Sequence, residues 1–290
     1  MGADDTPFQR LSKDLISGAA GGAAQVLIGQ PFDIVKVRLQ TSPVPLGALQ
    51  CAGNILKNEG PLAFYKGTLT PLLGIGACVS IQFGAFHFAR RHLESLNPHK
   101  SGLTLPEYYV AGAFAGIANS PLSNPIENIR IRLQTQPHEA SKRLFNGPLD
   151  CIKKLVKIDG LRQGLFRGQT VTVLREIQAY GVWFLTFEYL MSLEKNRSEI
   201  PKWKIALYGG LSGEALWLAS YPLDVVKSRL QSDGLGKDMK WKTGRECAAQ
   251  LWREGGMGAF WKGIGPTLVR AMPVSAGTFF VVEMVLRAMD

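Results

Sequence analysis

Several things are scarce in this chain. No run of 18 apolar residues is free of polar interruption, so no membrane span declares itself, and the mean hydropathy is only +0.04. Four cysteines, Cys51, Cys78, Cys151 and Cys247, contain no CxxC pair and no disulfide framework, and reduced thiols are expected. The four histidines, His87, His92, His99 and His138, show no metal-ligand spacing, and neither metal nor cofactor is expected. No P-loop and no nucleophile triad is present, which argues against an enzyme. No Lys/Arg run alternates with aromatics, so nucleic acid is a poor partner. The first ten residues carry two acids and no Arg-rich amphipathic helix, so any targeting is expected to be internal. Residues 1–6 do fit an N-myristoylation pattern.

Basic residues are abundant. Thirty-three Lys and Arg against 23 Asp and Glu leave a net charge of +10. Lys142, Arg143, Lys153, Lys154, Lys157, Arg162 and Arg167 crowd one segment, and Lys237, Lys240, Lys242, Arg245, Arg253 and Lys262 crowd its counterpart. Such basic stretches suit anionic lipid and anionic solute.

The most informative stretch is PFDIVKVRLQ from Pro31, because it returns as PIENIRIRLQ from Pro125 and PLDVVKSRLQ from Pro222. The prolines are 94 and 97 residues apart, a period too long for helical solenoids of roughly 20 to 50 residues. Each copy sets a proline two residues before a carboxylate, a cation three residues after it and a glutamine four residues later. These are Asp33, Lys36 and Gln40, then Glu127, Arg130 and Gln134, then Asp224, Lys227 and Gln231. A second signature trails each copy, ending in Tyr65-Lys66-Gly67, Phe166-Arg167-Gly168 and Trp261-Lys262-Gly263. Three repeats follow, expected over residues 11–96, 104–194 and 202–290 behind a tail of residues 1–10.

Within each repeat the pattern predicts a long helix that carries the motif, a short amphipathic helix too short to span, and a second long helix. The short helices are expected over 45–58, 148–157 and 243–253, lying along the membrane surface. The later long helices are expected over 68–93, 169–193 and 264–287, enough to cross with some tilt. Gly18, Gly21, Gly22, Gly112, Gly116, Gly209 and Gly213 stand ahead of the prolines, predicting a shared small-residue packing face followed by kinks at Pro31, Pro125 and Pro222.

The motifs resemble the mitochondrial carrier family, whose signature is Pro-x-[Asp/Glu]-x-x-[Lys/Arg] in triplicate followed by aromatic-[Lys/Arg]-Gly, and the resemblance covers nearly the whole chain. It implies an all-α membrane protein of six transmembrane helices in three pseudo-threefold repeats, each with a short matrix-side surface helix. The implied setting is the mitochondrial inner membrane, multi-pass, with both termini toward the intermembrane space and the chain a monomer. Asp33 with Arg130, Glu127 with Lys227 and Asp224 with Lys36 would then close a matrix gate, braced by Gln40, Gln134 and Gln231. The opposite gate departs from the family pattern: only Arg90 and Glu283 keep both partners, with Glu188 in the middle repeat, so a weak ring is expected. Gly67, Gly147, Gly168 and Gly263 resemble the family's cardiolipin sites, with backbone N–H groups offered to phosphate.

Seven residues after each signature glycine stand Gly74, Arg175 and Arg270, with Glu176 beside Arg175. An Arg-Glu pair inside an apolar helix is costly to bury, and a functional role is the default. In this family an Arg-acid pair at that place resembles carriers of amino acids and related zwitterions. Arg175 and Arg270 would hold carboxylate oxygens, and Glu176 the amino group. Cys78 stands where ornithine-type carriers place an acid, which favours an acidic or neutral amino acid over a dibasic one. Glu214, eight residues before Pro222, has three readings: partner of a substrate amine, proton acceptor, or mate of a neighbouring arginine. Trp183 and Trp217 are expected to pack.

The finer match is to the carnitine, acylcarnitine and ornithine branch, closest to fungal amino-acid carriers, carried by residues 29–40 and Asn119-Ser120-Pro121. The function expected is transport of a glutamate-like amino acid by alternating access. Alternatives are a carnitine/acylcarnitine or basic amino-acid exchanger, a proton-leak channel, and a non-transporting membrane organiser.

Overall fold

The computed structural model describes residues 7–42, 46–96, 102–137, 139, 141, 143–194 and 196–289. The acylation pattern at residues 1–6 and the histidines His99 and His138 lie outside the described residues, as does the side chain of Glu283.

Nine α-helices and no strand are found among the described residues, in the order long, short, long in each repeat. They are α1 (Pro7–Thr41), α2 (Ala48–Glu59) and α3 (Leu69–Leu96), then α4 (Leu105–Thr135), α5 (Pro148–Gly160) and α6 (Gln169–Ser192). The third set is α7 (Lys202–Ser232), α8 (Gly244–Ala259) and α9 (Ile264–Met289). The six long helices form a closed ring in which α1 packs on α9, α3 on α4, α4 on α6 and α6 on α7, with slighter contacts between α7 and α9 and between α1 and α3. A Cβ on Gly21 would meet Val282 and one on Gly29 would meet Val274, so α1 and α9 run antiparallel and the chain's two ends share one end of the bundle.

Only α9 and the segment containing α3, among the described residues, are long and apolar enough to cross a membrane by composition. The other long helices carry polar residues on the faces that meet inside the ring, where intramembrane polarity is tolerated. Their prolines do not end them: Pro31 stands within α1, Pro121 and Pro125 within α4, and Pro222 within α7. Proline removes the N–H that would bond four residues back. At Pro121 the freed carbonyl of Ile117 accepts the Ser120 hydroxyl instead, at 2.9 Å.

Each short helix is held by the same two-residue anchor, four apart on one face. Cys51 and Ile55, Cys151 and Leu155, and Cys247 and Leu251 are all buried, each pair packed against the motif half of the long helix before it. Burial pushes the Cys151 and Cys247 thiols up to about 12, so they act as small apolar groups. Gly67, Gly168 and Gly263 take left-handed backbones, and each lies against the motif of the next repeat in cyclic order: Arg130, Leu230 and Lys36.

The small-residue face is not shared as the sequence suggests. In α4, a Cβ on Gly112 would lie 2.4 Å from the Tyr180 carbonyl oxygen, and one on Gly116 2.4 Å from that of Glu176, so α4 and α6 touch backbone to backbone. In α7 the equivalent Gly209 and Gly213 have nothing within 4 Å. In α1, Gly18 is open and Gly22 has only Ile75 nearby, at 3.8 Å, while a Cβ on Gly21 would lie 2.6 Å from the Val282 side chain of α9.

Candidate functional site: a gated cavity between the repeats

The long helices enclose a cavity of about 910 Å³, reaching from the conserved-pattern ends of α1, α4 and α7 to Ile205 and Ala206 in the first turns of α7. A ring of ion pairs closes its deep end. Asp33 pairs with Arg130 at 2.7 Å, Lys36 with Asp224 at 2.8 Å, and Glu127 with Lys227. Every pair joins two different repeats. Because each motif sets its acid and cation three residues apart, near one face of a helix, three convergent ends bring each acid to the next repeat's cation.

The glutamines divide in their roles. Gln40 donates to Asp224 at 3.0 Å and braces the ring. Gln231 instead donates to Asn124 at 2.8 Å and to the Arg167 carbonyl at 3.2 Å, and Gln134 has no hydrogen-bond partner for either amide atom among the described residues. Braces in these two places are therefore not formed. A brace that the motif does not contain stands just before the first proline: Gln30 accepts from Arg130 at 2.5 Å and donates to the Lys66 carbonyl at 2.8 Å. The signal was present. The residue before each proline is polar and buried, Gln30, Asn124 and Tyr221, and Tyr221 likewise donates to a turn carbonyl, that of Lys262, at 3.0 Å.

The midplane residues line the same cavity: Gly74, Cys78, Arg175, Glu176, Glu214 and Arg270. They are not equally available. Arg270 keeps 21% of its side chain exposed and holds Asp33 at 2.9 Å and 3.0 Å. Arg175 and Glu176 are 6% and 2% exposed. They bond each other, Arg175 also reaches both oxygens of Glu127 at 3.1 Å and 3.2 Å, and Asn119 lies 3.5 Å from Glu176. Glu176 thus has one oxygen held by Arg175 and the other facing Asn119. Gly74 is small for a packing reason, since a Cβ there would come 2.5 Å from Ile126.

Trp217, expected to pack, lines the cavity with Lys36 Nζ 4.0 Å above its ring centroid and the Arg270 guanidinium 5.6 Å from it. Cations over an indole face are attracted by its quadrupole. Trp183 also lines the cavity and stacks on Phe187 at 5.4 Å.

At the terminal end, no ring crosses the helices among the described residues. Arg90 bonds Glu94 one turn along its own helix at 2.8 Å, and Glu188 bonds Arg197 at 2.6 Å. Phe86 is buried against Phe184, ring centroids 3.6 Å apart, and packs α3 to α6.

Of the four lipid-site glycines, Gly67 and Gly147 line one pocket of about 270 Å³ together with Lys66, Arg143 and Asn146. Gly147 caps α5, its carbonyl accepting from Cys151 N at 3.0 Å, while Gly168 and Gly263 sit in the seams between repeats.

Six long helices in three related pairs around a polar cavity, shut at one end by inter-repeat ion pairs, are the architecture of a membrane carrier. The chain belongs to the mitochondrial carrier protein family, whose model matches residues 9–97, 101–197 and 198–290. It is 49% identical to a mitochondrial glycine transporter of Saccharomyces cerevisiae, over 96% of this chain and 92% of that protein. It is 45% identical to a glutamate/glycine mitochondrial carrier of Schizosaccharomyces pombe, over 94% and 93%. A mitochondrial basic amino acids transporter of Bos taurus is 40% identical over 95% of this chain and 92% of its own length.

Proposed function

We propose that the chain carries a small zwitterionic amino acid, glycine- or glutamate-like, across the mitochondrial inner membrane by alternating access. The relatives named for glycine and glutamate support the substrate class. The observation that carries the mechanism is that the two midplane arginines are held by gate carboxylates, Arg270 by Asp33 and Arg175 by Glu127. A substrate carboxylate arriving on Arg270 competes for a cation that Asp33 now shares with Arg130. Binding therefore loosens the ring through the same residues that hold the substrate, and the repeats rock to expose the far side. Lys36, Asp224 and Lys227 are buried, and desolvation cancels much of the attraction in a buried pair, so the gain in substrate contacts is of a size to offset opening of the ring.

In this reading the ring end faces the matrix and both termini face the intermembrane space, as basic loops on the matrix side imply. The pocket of Lys66, Gly67, Asn146 and Gly147 then receives a cardiolipin phosphate at the starts of α3 and α5, and the carrier works as a monomer.

Uptake of radiolabelled glycine, glutamate, lysine and acetylcarnitine into cardiolipin-containing liposomes tests the reading. Saturable uptake of glycine or glutamate that Arg270→Ala reduces by about a hundredfold is the expected outcome, since charge-assisted bonds contribute about 1.5–3 kcal/mol. Uptake confined to lysine or acetylcarnitine would replace the substrate class.

A further inference from the structure

We infer that Glu214 is the cavity's receptor for the substrate's ammonium group, and so sets the preference for amino acids over acids without an amine. This deepens the amino-acid reading above and rests on it. Five carboxylates line the cavity: Asp33, Glu127, Glu176, Asp224 and Glu214. The first four are each in an ion pair with a lining cation. Glu214 makes neither an ion pair nor a hydrogen bond among the described residues, and Arg270 is the charged group whose field reaches it. The helical pattern alone leaves its direction open. Ile117, at the same place in the second repeat, is 46% exposed and does not line the cavity, whereas Glu214 does.

Two features make it a receptor rather than a stray charge. The five cations of the lining equal its five carboxylates, but two of them, Arg130 and Arg270, share Asp33. Positive charge is in surplus at Arg270 and negative charge is in surplus at Glu214. Trp217 lies three residues after Glu214, one turn along α7, and carries the Arg270 guanidinium over its ring at 5.6 Å. An α-amino acid, with both charges on one carbon, satisfies the two surpluses at once: carboxylate to Arg270, ammonium to Glu214. The open wall at Gly209, Gly210 and Gly213, also in the lining, leaves room beside Glu214. A carboxylate that lines the cavity without an ion-pair partner gains a charge-assisted hydrogen bond from an arriving ammonium.

The test compares glycine with glycolate and glutamate with 2-hydroxyglutarate, pairs that exchange ammonium for hydroxyl. Full-length carrier in liposomes gives uptake, and ligand-induced shifts in thermal unfolding in detergent give binding. Wild type is expected to favour each amino acid. Glu214→Gln is expected to lower amino-acid kcat/KM by about ten- to a hundredfold and to leave the hydroxy acids nearly unchanged, the loss of one charge-assisted bond. Glu214→Asp is expected to keep the preference with a raised KM, which guards against a variant that folds poorly. A Glu214→Gln carrier that keeps its preference, or loses both classes alike while Glu214→Asp is unaffected, overturns the inference. So does loss of preference in Glu176→Gln with Glu214→Gln intact. If wild type moves neither amino acid, it is the substrate class that fails, and the ammonium receptor with it.

Discussion

The second and third repeats carry the same glycine pair at the same distance before their prolines and put it to opposite uses. Gly112 and Gly116 bring α4 against the backbone of α6; Gly209 and Gly213 face open space on the cavity wall. The difference follows through to the chemistry. In the second repeat the close approach buries Arg175 and Glu176 beside Asn119, while in the third the wall is left open beside Glu214, Trp217 and Arg270. A small-residue motif therefore states that a helix face is narrow, not what fills the space. One repeat is a rigid wall and the other a receptive one.

The largest effect expected from breaking this contrast is at Gly116. A valine there must push α4 off the Glu176 carbonyl, because backbone cannot give way as a flexible side chain does. Overpacking of this kind costs about 1–3 kcal/mol and sometimes more. Thermal unfolding of Gly116→Val in detergent should fall well below wild type, with transport lost. Unfolding at the wild-type temperature would show that the α4–α6 contact is not rigid.

Gly213→Val should behave otherwise. The site is open, so stability is expected to stay within about 1 kcal/mol of wild type. The added side chain narrows the cavity beside Glu214, so glutamate uptake should fall by about tenfold relative to glycine, the usual scale for a few misplaced methylenes. Equal losses for both substrates would mean that the wall does not set substrate size.

Much of this was legible in the sequence because it repeats. Three copies of one motif supplied three acids and three cations, and the resemblance to the carrier family implied which acid meets which cation, the pairing that the ion pairs follow. The six long helices and three short ones followed from period and length, to within a few residues at most ends. The failures lie where the repeats differ. Gln134 and Gln231 occupy the place of Gln40, yet Gln231 meets Asn124 where Gln40 meets Asp224, and Gln134 meets no hydrogen-bond partner among the described residues, differences set by tertiary packing. Glu214 could not be placed by phase, because equivalent positions of α4 and α7 face different surroundings. Arg90 has a local acid, Glu94, one turn along its own helix, a pair that the search for partners across the ring passed over. The residue before each proline was the overlooked signal, polar in all three copies but of three different types.

The last contrast concerns the short helices. Arg38 of α1 reaches back to Glu59 at the end of α2, which Lys66 also holds at 2.6 Å, and Arg229 of α7 reaches Glu254 of α8 at 2.7 Å. The second repeat breaks the pattern: Arg132 donates to the Asp233 carbonyl at 3.0 Å, and Asp159, in the place of Glu59, accepts from Gly236 N at 3.0 Å. Burial raises the Glu59 carboxyl, but the hydrogen bonds and charges of Arg38 and Lys66 outweigh it and hold Glu59 at about 2, below its ordinary 4.5. A depressed carboxylate contributes stability that is present above 4.5 and lost as pH falls toward about 2. Glu59 is partly exposed, so solvent screening reduces the contribution to under about 1 kcal/mol. Glu59→Gln should lower thermal stability slightly at pH 7 and flatten its fall between pH 4.5 and about 2. Asp159→Asn, which keeps an acceptor for Gly236 N and breaks no ion pair among the described residues, should leave that acid limb unaltered. If the two variants shift it equally, the first and second repeats are fastened at this end by the same electrostatics, and the difference in their partners is without consequence for stability.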